Sequence, residues 1–180
     1  MKKLVLLMTF ALITLCVHAQ QKESKNMWIG GSLGFSSGES DETNVSSYNI
    51  GPEWGMMLND DFGAGVKLTI RGDDYGSGTD NLWIINPYVR YYKGISDNFK
   101  FFAEGSLLVG GGDNRSIFGI GARPGVQYWL TSRWSMASTL GFLGYRKVTH
   151  EKDTPHEFDD KKFGLDLDMS TLDFSLYYHF

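Results

Sequence analysis

A carboxylate, a serine and a histidine lie near the end of the chain, and these residue types form the catalytic groups of many hydrolases. Asp173, Ser175 and His179 alternate there with apolar residues. In a β-strand these three side chains share one face, but Ser175 and His179 are then about 13 Å apart at the usual rise per residue. A nucleophile and its base need hydrogen-bond contact. Ser175 and His179 therefore cannot form a catalytic dyad.

Two histidines in an acidic segment are the other candidates for chemistry. His150 and His156 stand between residues 148 and 162 among carboxylates, namely Glu151, Asp153, Glu157, Asp159 and Asp160. Imidazole and carboxylate groups bind zinc, but this spacing matches no established ligand pattern. The chain also has no glycine-rich phosphate loop before a helix and no cysteine-based metal motif. We therefore predict a solvated loop, with no metal, no cofactor and no catalytic residue.

The first nineteen residues have the pattern of a secretory signal peptide. Lys2 and Lys3 precede an apolar run over 4–16, and Val17-His18-Ala19 fits a small-x-small cleavage site. The run is too short for a membrane-spanning helix, which needs about 20 apolar residues. We predict an exported protein with a signal peptide over 1–19 and a short polar lead-in over 20–26.

Charge and cysteine content exclude several classes of protein. Without Lys2 and Lys3 the chain holds 15 basic and 21 acidic residues, a net charge of −6, which gives no support for nucleic-acid binding. Cys16 is the only cysteine, so the predicted mature chain has no disulfide. A lipoprotein would carry its lipid on Cys16, but Leu15 is bulky where such sites have a small residue.

The remainder of the chain alternates between apolar and polar residues, the pattern of β-strands. Eight segments show it: 27–37, 47–58, 62–72, 81–93, 99–110, 116–130, 134–147 and 163–180. Short connections follow the second, fourth and sixth segments, ending at residues 61, 98 and 133. Longer polar connections occupy 38–46, 73–80, 111–115 and 148–162. Outer-membrane barrels have an even strand number, short periplasmic turns and longer external loops.

A weak repeat marks three of these segments. Pro52, Pro87 and Pro124 each lie in a segment that leads to a short connection, and aromatic residues restart the chain after it (Phe62, Phe99 and Trp134). Proline removes a donor from the hydrogen-bond ladder. We therefore expect a local bulge at each proline.

The final residues carry a more specific signal. Leu172, Phe174, Leu176, Tyr178 and Phe180 share one parity. This stretch resembles the C-terminal strand of bacterial outer-membrane β-barrels, in which a terminal aromatic residue is an assembly signal. With the proline repeat and the signal peptide, the chain resembles the small outer-membrane β-barrel domain family, which includes barrels like outer-membrane protein A and the opacity proteins.

The resemblance implies an all-β fold, an eight-stranded antiparallel up-and-down transmembrane β-barrel over 27–180. It also implies location in the outer membrane of a Gram-negative bacterium. The expected partners are outer-membrane lipid, lipopolysaccharide and, through the C-terminal strand, the barrel-assembly machinery. No nucleic-acid partner is expected.

Strand parity divides the side chains between two faces. The predicted lipid-facing set is apolar and comprises Ile29, Leu33, Phe35, Ile50, Trp54, Met56, Val66, Leu68, Ile70, Trp83, Ile85, Val89, Phe101, Leu107, Val109, Phe118, Ile120, Val126, Tyr128, Trp134, Met136, Leu140 and Phe142. The predicted interior charge network comprises Glu53, Lys67, Arg71, Arg90, Glu104, Arg123 and Asp173. Buried charges need partners. The network is therefore either a salt-bridged plug or a path for protons or ions.

These patterns predict a small integral outer-membrane barrel with a structural or surface-interaction role and loops exposed outside the cell. An eight-stranded interior is only wide enough to be filled by side chains, so a diffusion pore is not expected. One alternative is a narrow porin-like transporter of small or hydrophobic solutes, although Phe102, Leu108 and Trp129 would narrow its lumen. A second alternative is a lipid A-modifying enzyme.

Overall fold

The computed structural model describes residues 26–40, 43–74, 79–112, 115–150, 158–166 and 173–180. Within these ranges the chain forms ten β-strands: β1 (Met27–Ser40), β2 (Thr43–Met57), β3 (Phe62–Asp74), β4 (Thr79–Ser96), β5 (Phe99–Gly112), β6 (Arg115–Trp129), β7 (Trp134–Thr139), β8 (Phe142–His150), β9 (Phe158–Asp166) and β10 (Asp173–His179). No helix in them is long and apolar enough to cross a membrane. The predicted signal peptide and residues 20–25 of the lead-in lie outside the described residues.

The strands close into a ring of eight. β1 to β7 pair in sequence order, and β10 pairs with both β7 and β1, always antiparallel. β8 continues the path of β7 after residues 140–141 and pairs with β6, while β9 pairs with β8. The predicted eight-stranded antiparallel barrel is confirmed, with its seventh and eighth strands each formed by two segments.

The two ends of the described barrel wall meet through backbone hydrogen bonds. Met27 N donates to Phe180 O at 3.2 Å, and Phe180 N donates to Met27 O at 2.9 Å. The register continues from Trp28 opposite His179 to Gly31 opposite Leu176. These bonds close the hydrogen-bond ladder, so that this part of the wall has no free strand edge.

Side chains shape two of the short connections. Asn59 Oδ1 accepts hydrogen bonds from the backbone N–H groups of Asp61 and Phe62, at 3.0 and 2.8 Å. Thr131 Oγ1 accepts from those of Arg133 and Trp134, at 3.2 and 3.1 Å. Such local bonds are the reason that Asn and Thr favour turns. We call the end of the barrel that holds these turns, Met27 and Phe180 the terminal rim, and the opposite end the distal rim.

The predicted extents of the distal connections are wrong. Pairing of β1 with β2 continues to Ser40 and Thr43, and pairing of β3 with β4 continues to Asp74 and Thr79. The strands leave only 41–42, 75–78, 113–114 and 151–157 between them at this rim, all outside the described residues. The sequence pattern does not indicate these extensions, because polar and apolar residues alternate only where one face of the strand is apolar. Pairing between strands requires only the backbone groups.

The expected bulges occur at one proline only. The register with the next strand is the same before and after Pro52 and Pro87. At each of these prolines, two residues of the strand are left without a pairing to that next strand. Near Pro124, Ala122 of β6 pairs with Leu143, and Gly125 pairs with Thr139. The two β6 residues between these pairs therefore lie opposite three residues, 140–142. A strand can therefore tolerate proline at a skipped bond without a shift in register.

The bulge opposite Pro124 reverses the alternation of the seventh strand. Gly141 has a φ of 77°, in the left-handed region that favours glycine. Met136 points outward before it and Leu143 after it, at 44% and 52% exposed, whereas Phe142 is 6% exposed. The prediction that Phe142 faces lipid is therefore wrong, because the extra residue turns its side chain inward.

Burial otherwise follows the predicted faces. The exposed large hydrophobic residues include Ile29, Leu33, Ile50, Trp54, Val66, Leu68, Ile70, Trp83, Ile85, Val89, Phe101, Val109, Phe118, Ile120, Tyr128, Trp134 and Met136. Leu107, Val126 and Leu140 are half-buried, and the side chain of Phe35 is outside the described ones. Met56 is an exception at 8% exposed. Its register neighbours are Met27 and Ala64, and an unbranched side chain beside alanine can lie flat against the sheet.

Candidate functional site

The interior near the terminal rim is filled by aromatic side chains. Trp28, Tyr92, Phe102 and Tyr177 are each at most 4% exposed and belong to one buried cluster. The Trp129 ring lies beside His179, with 4.1 Å between the ring centroids. This aromatic layer occupies the lumen where the wall is closed by Met27 and Phe180.

Glycines in the wall make room for these rings. A Cβ atom at Gly55 would overlap the indole of Trp28, and one at Gly125 would overlap the ring of Phe102. Interiors this closely packed respond to the addition of single atoms. Small residues on one strand therefore set the positions of aromatic residues that project from another.

A serine–histidine contact lies within this layer, but it uses a serine that the sequence does not indicate. Ser135 Oγ lies 2.8 Å from His179 Nε2 and accepts a hydrogen bond from Gln127 Nε2 at 2.7 Å. Ser135 is 0% exposed, and none of the cavities described below is lined by Ser135 or His179. The pair has the contact of a nucleophile and a base, and both side chains are buried.

Above the aromatic layer, two acids and two arginines form a chain of ion pairs. Arg90 Nε donates to Glu104 Oε2 at 2.8 Å, and Arg90 Nη2 lies 3.1 Å from Glu53 Oε1. Arg123 Nε donates to the second oxygen of Glu104 at 2.7 Å. Glu104 faces Arg90 across β4–β5 and Arg123 across β5–β6, so the strand register places all three side chains together.

Tyrosines complete this arrangement. Tyr88 OH donates to Glu53 Oε1, and Tyr177 OH donates to Glu53 Oε2 at 2.9 Å. The Arg90 guanidinium lies over the rings of Tyr88 and Phe102, with Cζ 4.3 and 4.8 Å from the ring centroids. Glu53 thus has partners for both oxygens, which offsets the cost of burying its charge.

A separate ion pair lies next to these four charged residues, on the side nearer the distal rim. Lys67 pairs with Asp173, although Glu53 is the residue opposite Lys67 in the β2–β3 ladder. We call these six residues together with Tyr88 and Tyr177 the charge layer. The cavity that they line with their neighbours has a volume of about 10 Å³, which is room for at most one water molecule.

Asn86 compensates for a proline within this layer. The β4–β5 register pairs Ile85 with Val109 and Tyr88 with Ser106, which puts Pro87 opposite Leu107. Pro87 has no N–H to give to Leu107 O, and Asn86 Nδ2 donates to that oxygen at 2.7 Å instead. Asn86 Oδ1 also accepts from Arg123 Nη2 at 3.2 Å. One amide side chain therefore supplies the hydrogen bond that Pro87 cannot make and also binds Arg123 of the charge layer.

The structure brings six members of the predicted interior charge network together and separates the seventh. Arg71 has the same parity on β3 as Lys67, but it is exposed and lines a larger cavity toward the distal rim. The residues of the predicted assembly signal line the outer face. Phe174, Leu176 and Phe180 are 44–58% exposed, and half-buried Tyr178 accepts a hydrogen bond from Arg133 at 3.1 Å.

The histidine segment does not form a described site. His150 is the last residue of β8, and His156 lies outside the described residues. Among the residues that the structure describes, no group of three or more His, Cys, Asp or Glu side chains is placed to hold a metal ion.

A closed barrel with an apolar exterior and a charged interior defines the class of transmembrane β-barrels. The model of the outer membrane protein beta-barrel domain family matches residues 7–180, so the chain belongs to that family. The resemblance seen in the sequence is thereby confirmed.

Similarity to individual proteins is distant. A solved structure of OmpT (in-vitro folded), an outer membrane protein of Vibrio cholerae, is 14% identical with a TM-score of 0.38. The match covers 86% of this chain and 52% of that one, so the chain spans about half the length of that protein. None of the curated proteins matches the chain.

Proposed function

We propose that this protein is a small integral outer-membrane barrel with a closed interior, which acts through its surface instead of through its lumen. Its role is structural or interactive, and the distal rim is the part presented outside the cell. It is exported to the outer membrane of a Gram-negative bacterium by a signal peptide over residues 1–19. The single observation that carries this proposal is the charge layer, whose paired side chains leave a cavity of only about 10 Å³.

Contact with lipid phosphates is the surface interaction with the best support. Lys147 and Lys161 project from neighbouring strands near the distal rim and share one carboxylate, with Nζ 3.0 and 3.3 Å from the oxygens of Asp159. These three described side chains together carry one net positive charge. Phosphate groups of lipopolysaccharide would complement that charge at the level of the headgroups.

Single-channel recording in planar lipid bilayers tests the closed interior. We expect no stepwise conductance from the wild-type protein, because an ion would have to pass the buried ion pairs. A variant with Arg90→Ser and Glu104→Ser opens the charge layer but leaves the aromatic layer in the lumen, so it should also show no stepwise conductance if it keeps the fold. Stepwise conductance of the wild-type protein would instead favour the narrow transporter.

We further propose that the protein has no catalytic role. The buried position of Ser135 supports this view, since a substrate cannot reach its hydroxyl group. Mass analysis of lipid A from cells with and without the protein is the direct test. A mass change that is lost in a Ser135→Ala variant would establish an enzyme.

A further inference from the structure

Strand pairing closes the described wall near the terminal rim but not along its full height. The ladder between β1 and β10 runs from Trp28 to Gly31, whereas β1 continues to Ser40. β9 pairs with β8 along one edge, and no pairing of its other edge is found within the described residues. The strand order places the free edges of β1 and β9 on either side of one gap. We call it the wall gap.

Side chains beside the wall gap are more exposed than others on the outer face. Leu33 is 82% exposed, whereas Ile29, of the same parity and flanked by β2 and β10, is 54% exposed. Phe163 on β9 is 83% exposed, whereas Phe118, flanked by β5 and β8, is 47% exposed. A neighbouring strand shields part of an outward side chain. The excess exposure of Leu33 and Phe163 therefore supports the gap independently of the pairing pattern.

A cavity of about 570 Å³ extends round the free edge of β9. It is lined by residues 161–165 of β9, among which Phe163 and Leu165 point outward, and by Phe142 and Arg146 of β8. Phe142 is buried and points into the lumen. Since residues of both faces line this space, it joins the outer face to the interior. We call it the edge cavity.

The edge cavity adjoins a cavity in the lumen. This distal cavity has a volume of about 450 Å³, lies above the charge layer and shares Phe142 and Arg146 with the edge cavity. Volumes of about 300–1,000 Å³ are typical of small-molecule sites. The apolar part of its wall can cover a hydrocarbon chain, since buried apolar area is stabilising. It comprises Leu82, Ile84, Leu108, Ile117, Phe142 and Val148.

The outer face of β8 and β9 fixes the depth of the wall gap in the membrane. Leu143 lies opposite Leu165 in the ladder, and Lys147 lies opposite Lys161 four residues further toward the distal rim. Lysine side chains near a membrane surface place their charge among the headgroups. The part of β9 that contains Phe163 and Leu165 is therefore at the level of the lipid chains just below them.

Arg146 lies where the two cavities meet, at the level of the headgroups. Its Cζ is 4.8 Å from the centroid of the Phe142 ring, and its Nε is buried and has no hydrogen-bond partner. A buried donor without an acceptor is unfavourable. A carboxylate supplies that acceptor, and arginine binds carboxylates through paired hydrogen bonds.

We propose that the wall gap admits a long-chain fatty acid from the outer leaflet of the membrane. The carboxylate binds Arg146, and the chain passes the edge of β9 and lies against the apolar wall of the distal cavity. This site goes beyond the surface role proposed above. The charge layer lies below it and stays closed, so binding needs no passage through the barrel.

Photolabelling of the protein in nanodiscs of zwitterionic lipid tests this site. The probe is palmitate with a diazirine in the middle of its chain, and mass spectrometry locates the label. We expect saturable labelling of Ile84 and Leu108, which line the distal cavity, and loss of that label when unmodified palmitate is added. A phosphatidylcholine with the same diazirine should label the outer face but neither of these two residues.

Variants test the entry route and the head-group contact. Phe163→Ser removes apolar surface at the gap and should reduce the label on Ile84 and Leu108. Phe118→Ser is the matched control, because it removes the same side chain from the outer face away from the gap. Arg146→Gln should weaken competition by palmitate about tenfold. It should leave competition by the neutral hexadecanol unchanged, which separates loss of the carboxylate contact from loss of structure.

Folding of each variant is checked by gel electrophoresis of boiled and unboiled samples. Absence of label on Ile84 and Leu108 would overturn the proposal, as would equal labelling of them by the phosphatidylcholine. Unchanged labelling in Phe163→Ser, or an equal loss in Phe118→Ser, would overturn entry through the wall gap. An equal effect of Arg146→Gln on palmitate and hexadecanol would overturn the role of Arg146.

Discussion

Arg90 and Glu104 face each other across β4 and β5, with Nε and Oε2 2.8 Å apart and both side chains at most 4% exposed. Each has a further partner: Glu53 for the arginine and Arg123 for the acid. A buried charge without a partner costs several kcal/mol. The four residues therefore depend on one another, and they fix the positions of the strands from which they project.

Glu104→Gln should destabilise the barrel strongly. The amide keeps the volume of the side chain, but it leaves Arg90 and Arg123 to share a neutral group. The expected loss is roughly 3–5 kcal/mol in the free energy of unfolding, the usual result of breaking a buried ion pair. Urea unfolding in lipid vesicles, followed by tryptophan fluorescence, measures it.

Asp160→Asn is the control for this prediction, because it breaks the exposed contact with Lys162, in which the two side chains are 46% and 80% exposed. Exposed pairs contribute little to stability, so unfolding should be unchanged. If the two variants unfold alike, the charge layer does not stabilise the barrel.

The sequence is sufficient to predict the barrel and the faces of most strands. Ile50 and Trp54 alternate with Gly51 and Glu53, and this period specifies both the strand and its lipid face. It also places Arg90, Glu104 and Arg123 on neighbouring strands, so that their proximity follows from strand order. The faces of the strands and the contacts between adjacent strands can thus be predicted without the structure.

Contacts across the lumen are not readable in this way. Tyr177 donates to Glu53 from a position 124 residues away, and the pairing of Lys67 with Asp173 likewise joins strands that are not neighbours. Ser135 meets His179 only because β7 pairs with β10. The prediction that Phe142 faces lipid is wrong for another reason. The extra residue near Gly141 shifts the alternation of inward and outward side chains, and the sequence does not mark where the shift occurs.

Gly55→Ala should disturb the aromatic layer. The added Cβ overlaps the indole of Trp28, which is 1% exposed and cannot move aside freely. Overpacking of this kind typically costs about 1–3 kcal/mol. Gly105→Ala is the control: a Cβ there meets nothing within 4 Å, so stability should be kept or slightly raised. Equal unfolding midpoints for the two variants would contradict the role given to Gly55.

Asn86→Ala should show whether the amide replaces the donor that Pro87 lacks. The change leaves Leu107 O without its hydrogen bond, at a cost of about 1–3 kcal/mol. In a Pro87→Ala background the new backbone N–H can bond Leu107 O. The same Asn86→Ala change should then cost clearly less. A double-mutant cycle by urea unfolding measures this coupling, and a coupling of zero would show that the amide has no such role.

Phe180→Ala should affect assembly in cells more than stability. The contacts of Phe180 that close the barrel are backbone hydrogen bonds to Met27, and its side chain is 51% exposed. The alanine variant therefore keeps the closing bonds and loses the aromatic group that resembles an assembly signal. Ile120→Ala is a matched control, since Ile120 is 53% exposed on another strand. We expect both variants to refold alike into lipid vesicles, whereas only Phe180→Ala accumulates poorly in the outer membrane. Equal outer-membrane amounts of the two would remove the support for recognition of Phe180 by the assembly machinery.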